Sequence, residues 1–309
     1  MATGAAGGGS ASMDTYREAR NWLLMPAWVT LAILVLVPVA MMLIYSFLTK
    51  EFRGGVIWEF SLAAYDQFFL DRGLFGDEPA RIEWTYITIF WRSIWQAATA
   101  TVLSLAIGFP TAYFIATRPA RMRPIWVFLV TIPYWVNLLI RTVSMKFLLR
   151  DQGTLNDFLI AMGLIDTPLV IVNTNIGVQI GLFYSYLPFM VLPIYAAVER
   201  YNFTLSEAAA DLYASRTTTL TRVILPAVKP GVLAGCILVF VPSLGSFLAP
   251  DLLGGARNFM IGSLIEEQFK GNAGNWPFGA AASMILLTLV LMLLLLFARQ
   301  QVKAGKTAG

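Results

Sequence analysis

The chain holds few residues able to do covalent chemistry, and their types exclude more than they suggest. It has no histidine, which removes the commonest general base and the commonest metal ligand. Its single cysteine, Cys236, lies in an apolar run without a partner, so an intrachain disulfide is impossible. No nucleophile–base pairing and no metal-ligand cluster stand out. Neither catalytic residues nor a metal site are expected, and a membrane enzyme is disfavoured. Gly305-Lys306-Thr307 has the look of the end of a phosphate-cradling loop. That loop needs glycine where the chain has Gln300, and a preceding strand where the chain has an apolar helical run. A basic tail is the simpler reading.

The remaining polar groups sit in unusual places. Residues 205–231, LSEAAADLYASRTTTLTRVILPAVKPG, bring Arg216, Arg222 and Lys229 between two apolar runs. Asp251 follows a stretch interrupted by Pro242, Gly245 and Pro250. Arg92 and Arg141 fall inside apolar runs. A charge in hydrocarbon costs about 2.5–3.5 kcal/mol on insertion scales; ion pairing or reach to the outer interface is the favoured role for these two.

The elements that must position these groups are membrane spans. The chain is 58% hydrophobic and 13% charged, against roughly 25% charged in soluble domains. A membrane helix needs about 20 mostly apolar residues. Six stretches qualify, at about 22–48, 86–116, 124–148, 174–198, 230–249 and 278–298. The first is too long for a signal-peptide core and lacks a small-residue cleavage site. The Gly/Ala/Ser-rich residues 1–13 are expected to be disordered. The organisation expected is a tail over 1–21, an all-α six-span domain over 22–298 with a polar loop at about 200–230, and a tail over 299–309. Gly177–Gly181 and Gly231–Gly235 are small-xxx-small patterns that let helices approach closely.

Placing the N-terminus inside puts twelve basic residues, among them Arg118, Arg121, Arg123, Arg216, Arg222 and Lys229, in cytoplasmic segments with five acidic ones (Asp14, Glu18, Glu199, Glu207, Asp211). The bias predicts both termini and the polar loop on the cytoplasmic side. Within that loop, Thr204-Leu205-Ser206-Glu207 has the form of a capping box, and alanines favour a helix over about 205–213. So short a helix is unstable alone, which points to docking into a groove on a cytoplasmic partner. Ser215 is placed to cap a second short helix running to Leu225, with Pro226 and Pro230 marking re-entry into the membrane.

The run Glu207-Ala208-Ala209 … Ile224-Leu225-Pro226 … Pro230-Gly231 resembles the EAA loop of permease subunits in binding-protein-dependent ABC importers. The resemblance implies the type I importer permease fold and coupling helices that seat in a cleft of an ATPase subunit. It gives that contact to Glu207, Ala208, Ala209, Asp211, Tyr213, Ala214, Arg216 and Pro226. One departure stands out: Tyr213 occupies a position usually held by glycine, which would be strained if the backbone there has positive φ.

Five further strings resemble the first permease of spermidine/putrescine-type importers. They are Ile132–Arg141 (IPYWVNLLIR), Gly163–Pro168 (GLIDTP), Leu187–Tyr195 (LPFMVLPIY), Leu252–Gly255 (LLGG) and Asn275–Gly279 (NWPFG). This implies a second permease forming a heterodimer, a homodimeric ATPase that carries ATP and Mg, and a periplasmic or lipid-anchored polyamine-binding protein. The expected setting is the bacterial inner membrane with its lipid. No cofactor on this chain and no nucleic acid are expected. A polyamine needs carboxylates for its ammonium ends and aromatic faces for its methylenes. Asp251, Tyr134, Trp135 and Tyr184 are the expected path residues, with Phe183 and Tyr186 also able to supply rings. Rival readings are an importer for another cationic or amino-acid-like solute such as an opine, and a stand-alone carrier or channel, which would have no need of an ATPase socket.

Overall fold

The computed structural model describes residues 8–51, 54–71, 81–270 and 274–306. The first half runs α1 (Gly8–Tyr45), β1 (Leu48–Lys50), β2 (Val56–Phe60), α2 (Ala63–Phe69), β3 (Leu70–Asp71), β4 (Arg81–Ile82), α3 (Trp84–Ala116) and α4 (Arg123–Thr131). The second runs α5 (Leu138–Leu149), α6 (Thr154–Ala161), α7 (Asn175–Glu199), α8 (Thr204–Asp211), α9 (Arg216–Thr219), α10 (Leu225–Leu244), α11 (Ile261–Phe269) and α12 (Trp276–Lys306).

Apolar runs become helices because a chain in lipid must satisfy its own N–H and C=O groups. Among the described residues, five helical stretches are long and apolar enough to cross a membrane, and a bent pair, taken as one span, raises the number to six. The bent pair is the expected third span. It folds at Ile132–Trp135 and turns by 89° between Arg123–Trp135 and Leu138–Ala161. Val136 is extended there, and the Asn137 side chain accepts from the N–H of Leu139 to start α5.

Other expectations are corrected. Residues 8–13 are helical rather than disordered, because extending a helix already nucleated by the adjoining apolar run costs less than starting one. Residues 1–7 lie outside the described residues. Helix α12 likewise continues past 298 to Lys306, and Thr307 of the Gly-Lys-Thr string lies outside the described residues. Among the described residues, two small antiparallel strand pairs, β1–β2 and β3–β4, lie between α1 and α3. The first turns through Gly54 and Gly55, both with positive φ, a backbone open to glycine without steric cost.

Pro226 and Pro230 do not mark a break. A continuous helical run covers Arg216–Leu244, because a π turn at Leu220–Ile224, closed by Leu225 N–H to Leu220 O, precedes Pro226. The widened turn gives the proline ring room against the carbonyls before it.

The core is the bundle of α3, α7 and α10, with Ala112, Ile115, Met190, Ile194, Val198, Val228 and Val239 buried together. The Gly231–Gly235 pattern lies at the α7/α10 approach, where a Cβ on Gly235 would lie 2.9 Å from Met190 Sδ. Gly177 and Gly181 instead face the segment before α7 and the Pro250–Gly254 turn, a Cβ on Gly177 lying 2.6 Å from Ile171 O and one on Gly181 2.6 Å from Leu253 Cδ1. A second cluster, with Phe68, Ile261, Leu264, Phe278 and Ala282, joins α2 and α11 to α12. Helix α1 packs on α12 and leaves its apolar window unburied.

Candidate functional site

The polar loop forms two short helices set against the end of α3. Helix α8 carries Glu207, Ala208, Ala209 and Asp211, with Glu207 and Asp211 exposed. The expected capping box is absent. Asn202 Oδ1 accepts from Thr204 N–H (3.1 Å) and from the Thr204 hydroxyl (2.8 Å), so the Thr204 side chain is engaged and the helix begins one residue earlier, on Phe203. Ser215 does cap α9, accepting from Thr218 N–H at 3.2 Å.

Between them Tyr213 has φ +58°. Its N–H donates to Ala210 O (2.9 Å), and the next N–H, of Ala214, donates to Ala209 O (3.0 Å). This is a Schellman closure, whose left-handed position favours glycine. A tyrosine there is strained, and its ring is 98% exposed beside an 82% exposed Leu212. Behind this tip lies a groove of about 590 Å³ lined by Pro110, Tyr113, Ala210, Ala214, Arg216 and Ile224 among others. The Tyr201 hydroxyl hydrogen-bonds the Ser206 hydroxyl at 2.8 Å and braces α8. Pro226 lies exposed in the first turn of α10. The loop therefore presents a hydrogen-bonded, partly apolar tip.

A second feature is a cavity of about 450 Å³ between α3 and α7. Its walls include Trp95, Leu103, Ile107 and Phe183, and its polar groups are Arg92, Gln96, Thr99, Asn175 and Gln179. Gln96 is 4% exposed and donates to Asn175 Oδ1 at 2.9 Å. Sequence reasoning found Arg92 and Phe183 but missed the three amides. Their i, i+4 spacing, Arg92/Gln96 on one helix and Asn175/Gln179 on the other, was the signal available.

Three of the expected path residues have neighbours of their own: Tyr134 and Tyr184 face Arg141, and Asp251 faces Lys270. Arg141, 5% exposed, sets its guanidinium over Tyr134 (5.0 Å) and Tyr184 (6.0 Å) and donates to Val136 O at 2.8 Å. Arg92 donates to Arg257 O. Neither arginine pairs with a carboxylate among the described residues, so the expected ion pairs are replaced by carbonyl and ring contacts. Trp135 is 81% exposed. Asp251, in a π turn at Pro250–Gly254, has its carboxylate 4.0 Å from Lys270 Nζ, which also meets Glu266 at 2.8 Å. The Lys270 ammonium donates to the Glu266 carboxylate, and this hydrogen bond raises the Lys270 pKa above its ordinary value. Asp251, Tyr134, Trp135 and Tyr184 are not among the residues lining the α3/α7 cavity; Phe183 is.

The chain is similar to proteins of known role. The family model described as binding-protein-dependent transport system inner membrane component matches residues 108–305. The spermidine/putrescine transport system permease protein PotB of Escherichia coli is 41% identical over 266 residues, 86% of this chain and 91% of that protein. The PotB of Haemophilus influenzae is 39% identical over 86% of this chain and 88% of its own length. Among solved structures, a bacterial ABC transporter involved in alginate import matches with TM-score 0.62 at 19% identity, over 94% of this chain and 99% of that one. An inward-facing MetNI methionine ABC transporter matches with TM-score 0.51 at 17% identity, over 71% and 94%; at such identities both show the fold alone. The helical architecture, the extent of the family match and these relatives together make the chain a multi-pass inner-membrane permease subunit of an ABC importer, a member of the binding-protein-dependent transport system inner membrane component family.

Proposed function

We propose that this permease imports polyamines, spermidine and putrescine, as one half of a heterodimer with a second permease. The observation that carries this reading is the 41% identity spread over 91% of a relative named for spermidine and putrescine transport. Both termini and the α8–α9 tip face the cytoplasm, as the basic bias predicts. Glu207, Ala208, Ala209, Asp211, Tyr213, Ala214, Arg216 and Pro226 form the coupling surface for a dimeric ATPase, which holds the ATP and Mg. A periplasmic or lipid-anchored binding protein delivers the polyamine on the opposite side. Asp251 serves the outer part of the path, and Trp135, Tyr134 and Tyr184 supply ring faces along it. ATP drives exchange between outward-open and inward-open states, and cargo shifts that exchange only through its different affinity for the two.

The test is co-purification of the complete importer and ATP-driven uptake in proteoliposomes across a panel of cations. Spermidine or putrescine accumulation that requires ATP and the binding protein is the expected result. Accumulation of an opine or another amino-acid-like solute instead would reject the cargo, and uptake independent of ATP would reject the coupling. Orientation has its own test. In a Cys236→Ala background, Ser215→Cys reacts with a membrane-impermeant thiol reagent from the cytoplasmic side only, and Glu59→Cys from outside only.

A further inference from the structure

The α3/α7 cavity contains a hydrogen-bond chain with one loose end. Gln179 Nε2 donates to the backbone carbonyl of Gln96 (3.1 Å) and to Gln96 Oε1, and Gln96 Nε2 donates on to Asn175 Oδ1 (2.9 Å). Two acceptors facing one end of the Gln179 amide fix that end as nitrogen, because an oxygen there would oppose both. The other end, Gln179 Oε1, is buried and has no donor. Buried acceptors without donors are uncommon and costly. Asn175, one turn before Gln179 on the same helix face, is exposed on the cavity wall with a second lone pair on Oδ1.

We propose that this cavity is a stopping place for the cargo within the membrane, where one ammonium group donates N–H to the second lone pair of Asn175 Oδ1, and Gln179, through Gln96, holds that amide in place. Trp95, Leu103 and Phe183 line the same cavity and cover the methylene chain, the rings adding cation–π attraction. The acceptor is neutral. A carboxylate would hold a di- or trication more firmly, whereas an amide oxygen solvates the ammonium group and lets it go. Arg92 lies one turn from Gln96, tethered to the Arg257 carbonyl. Its fixed positive charge keeps the ammonium group at the level of the amides. The assignment rests on the polyamine reading given above.

The experiment uses the complete importer in proteoliposomes, with Thr99→Cys in the Cys236→Ala background as a reporter on the cavity wall. Spermidine during turnover slows thiol modification of that cysteine. Asn175→Asp still accepts from Gln96 and adds a negative charge, so it lowers the half-protecting spermidine concentration about tenfold. Asn175→Lys raises it by a similar factor and lowers the spermidine moved per ATP. Gln179→Met also lowers the spermidine moved per ATP. Equal responses to Asp and Lys, or no protection at saturating spermidine, overturn the cavity assignment, as does loss of the second permease from Gln179→Met, which would give the amide to the subunit interface. An importer that takes up no polyamine with the native cavity fails the cargo reading itself; uptake with indifferent cavity variants fails only this site.

Discussion

The guanidinium of Arg141 sits 5.0 Å from the ring centroid of Tyr134, and the same group closes the break in the third span by donating to Val136 O at 2.8 Å. Extended backbone at Val136 leaves a carbonyl that helical N–H groups do not satisfy, and in lipid such a group must find a donor within the protein. The buried charge is thus explained by the bend. The Tyr134 and Tyr184 faces, expected to receive cargo, already receive this cation.

Arg141→Met keeps an apolar stem of similar length but removes both the donor and the charge. It is expected to destabilise the purified protein by about 1.5–3 kcal/mol, the range for a hydrogen bond to a charged group. A thermal unfolding midpoint in detergent equal to the parent's would mean that Val136 O has another donor.

Tyr213 combines a strained backbone with a nearly fully exposed ring. Tyr213→Gly relieves about 1 kcal/mol of left-handed strain while deleting the most exposed aromatic surface on the tip. The expected outcome is a complex that still co-purifies with its ATPase and hydrolyses more ATP for each substrate moved. An unchanged ratio would remove the ring from the coupling contact and leave the strain without a role in it.

What the sequence made legible divides by range. Apolar runs long enough to span, the helix-prone loop and the Ser215 cap are local patterns, and each appears where the pattern put it. Features decided by competition between neighbours were not legible. Asn202 reaches Thr204 before the capping box can form, and the π turn before Pro226 lets the helix pass a residue that reads as a stop. The 89° bend was hidden because Ile132–Trp135 is as apolar as its surroundings. The amides of the α3/α7 cavity lie 79 positions apart for Gln96 and Asn175, so only the fold shows that they meet.

Gly231 tests the bundle's closest approach. A Cβ there would lie 2.7 Å from Pro193 O and would collide with Ala197 Cβ. Both neighbours are held by the backbone of α7, so the cost of Gly231→Ala is that of overpacking, about 1–3 kcal/mol. Gly245→Ala is the control, since a Cβ there meets nothing within 4 Å. The unfolding midpoint should fall for the first and hold for the second. Equal midpoints would show that α7 and α10 separate freely.

Asp251 is the acid expected to meet the cargo, and in the structure it faces Lys270 at 4.0 Å. That pair does not disqualify it. Lys270 is about half exposed and makes its short contact with Glu266, at 2.8 Å, so the longer, solvent-screened contact to Asp251 is weak. An arriving ammonium group can exchange with it at small cost. Asp251→Asn removes the charge and keeps the shape. If the carboxylate meets the cargo, loss of about 1.5–3 kcal/mol lowers spermidine uptake by roughly ten- to a hundred-fold. Lys270→Met frees the carboxylate and should lower the spermidine concentration needed for half-maximal uptake. If instead Asp251 only braces the turn at Pro250–Gly254, asparagine performs that role as well, and Lys270→Met changes nothing in uptake. Near-parental rates for spermidine and putrescine in both variants would take Asp251 off the path, leaving the amides of the α3/α7 cavity as the cargo's polar contacts on this chain.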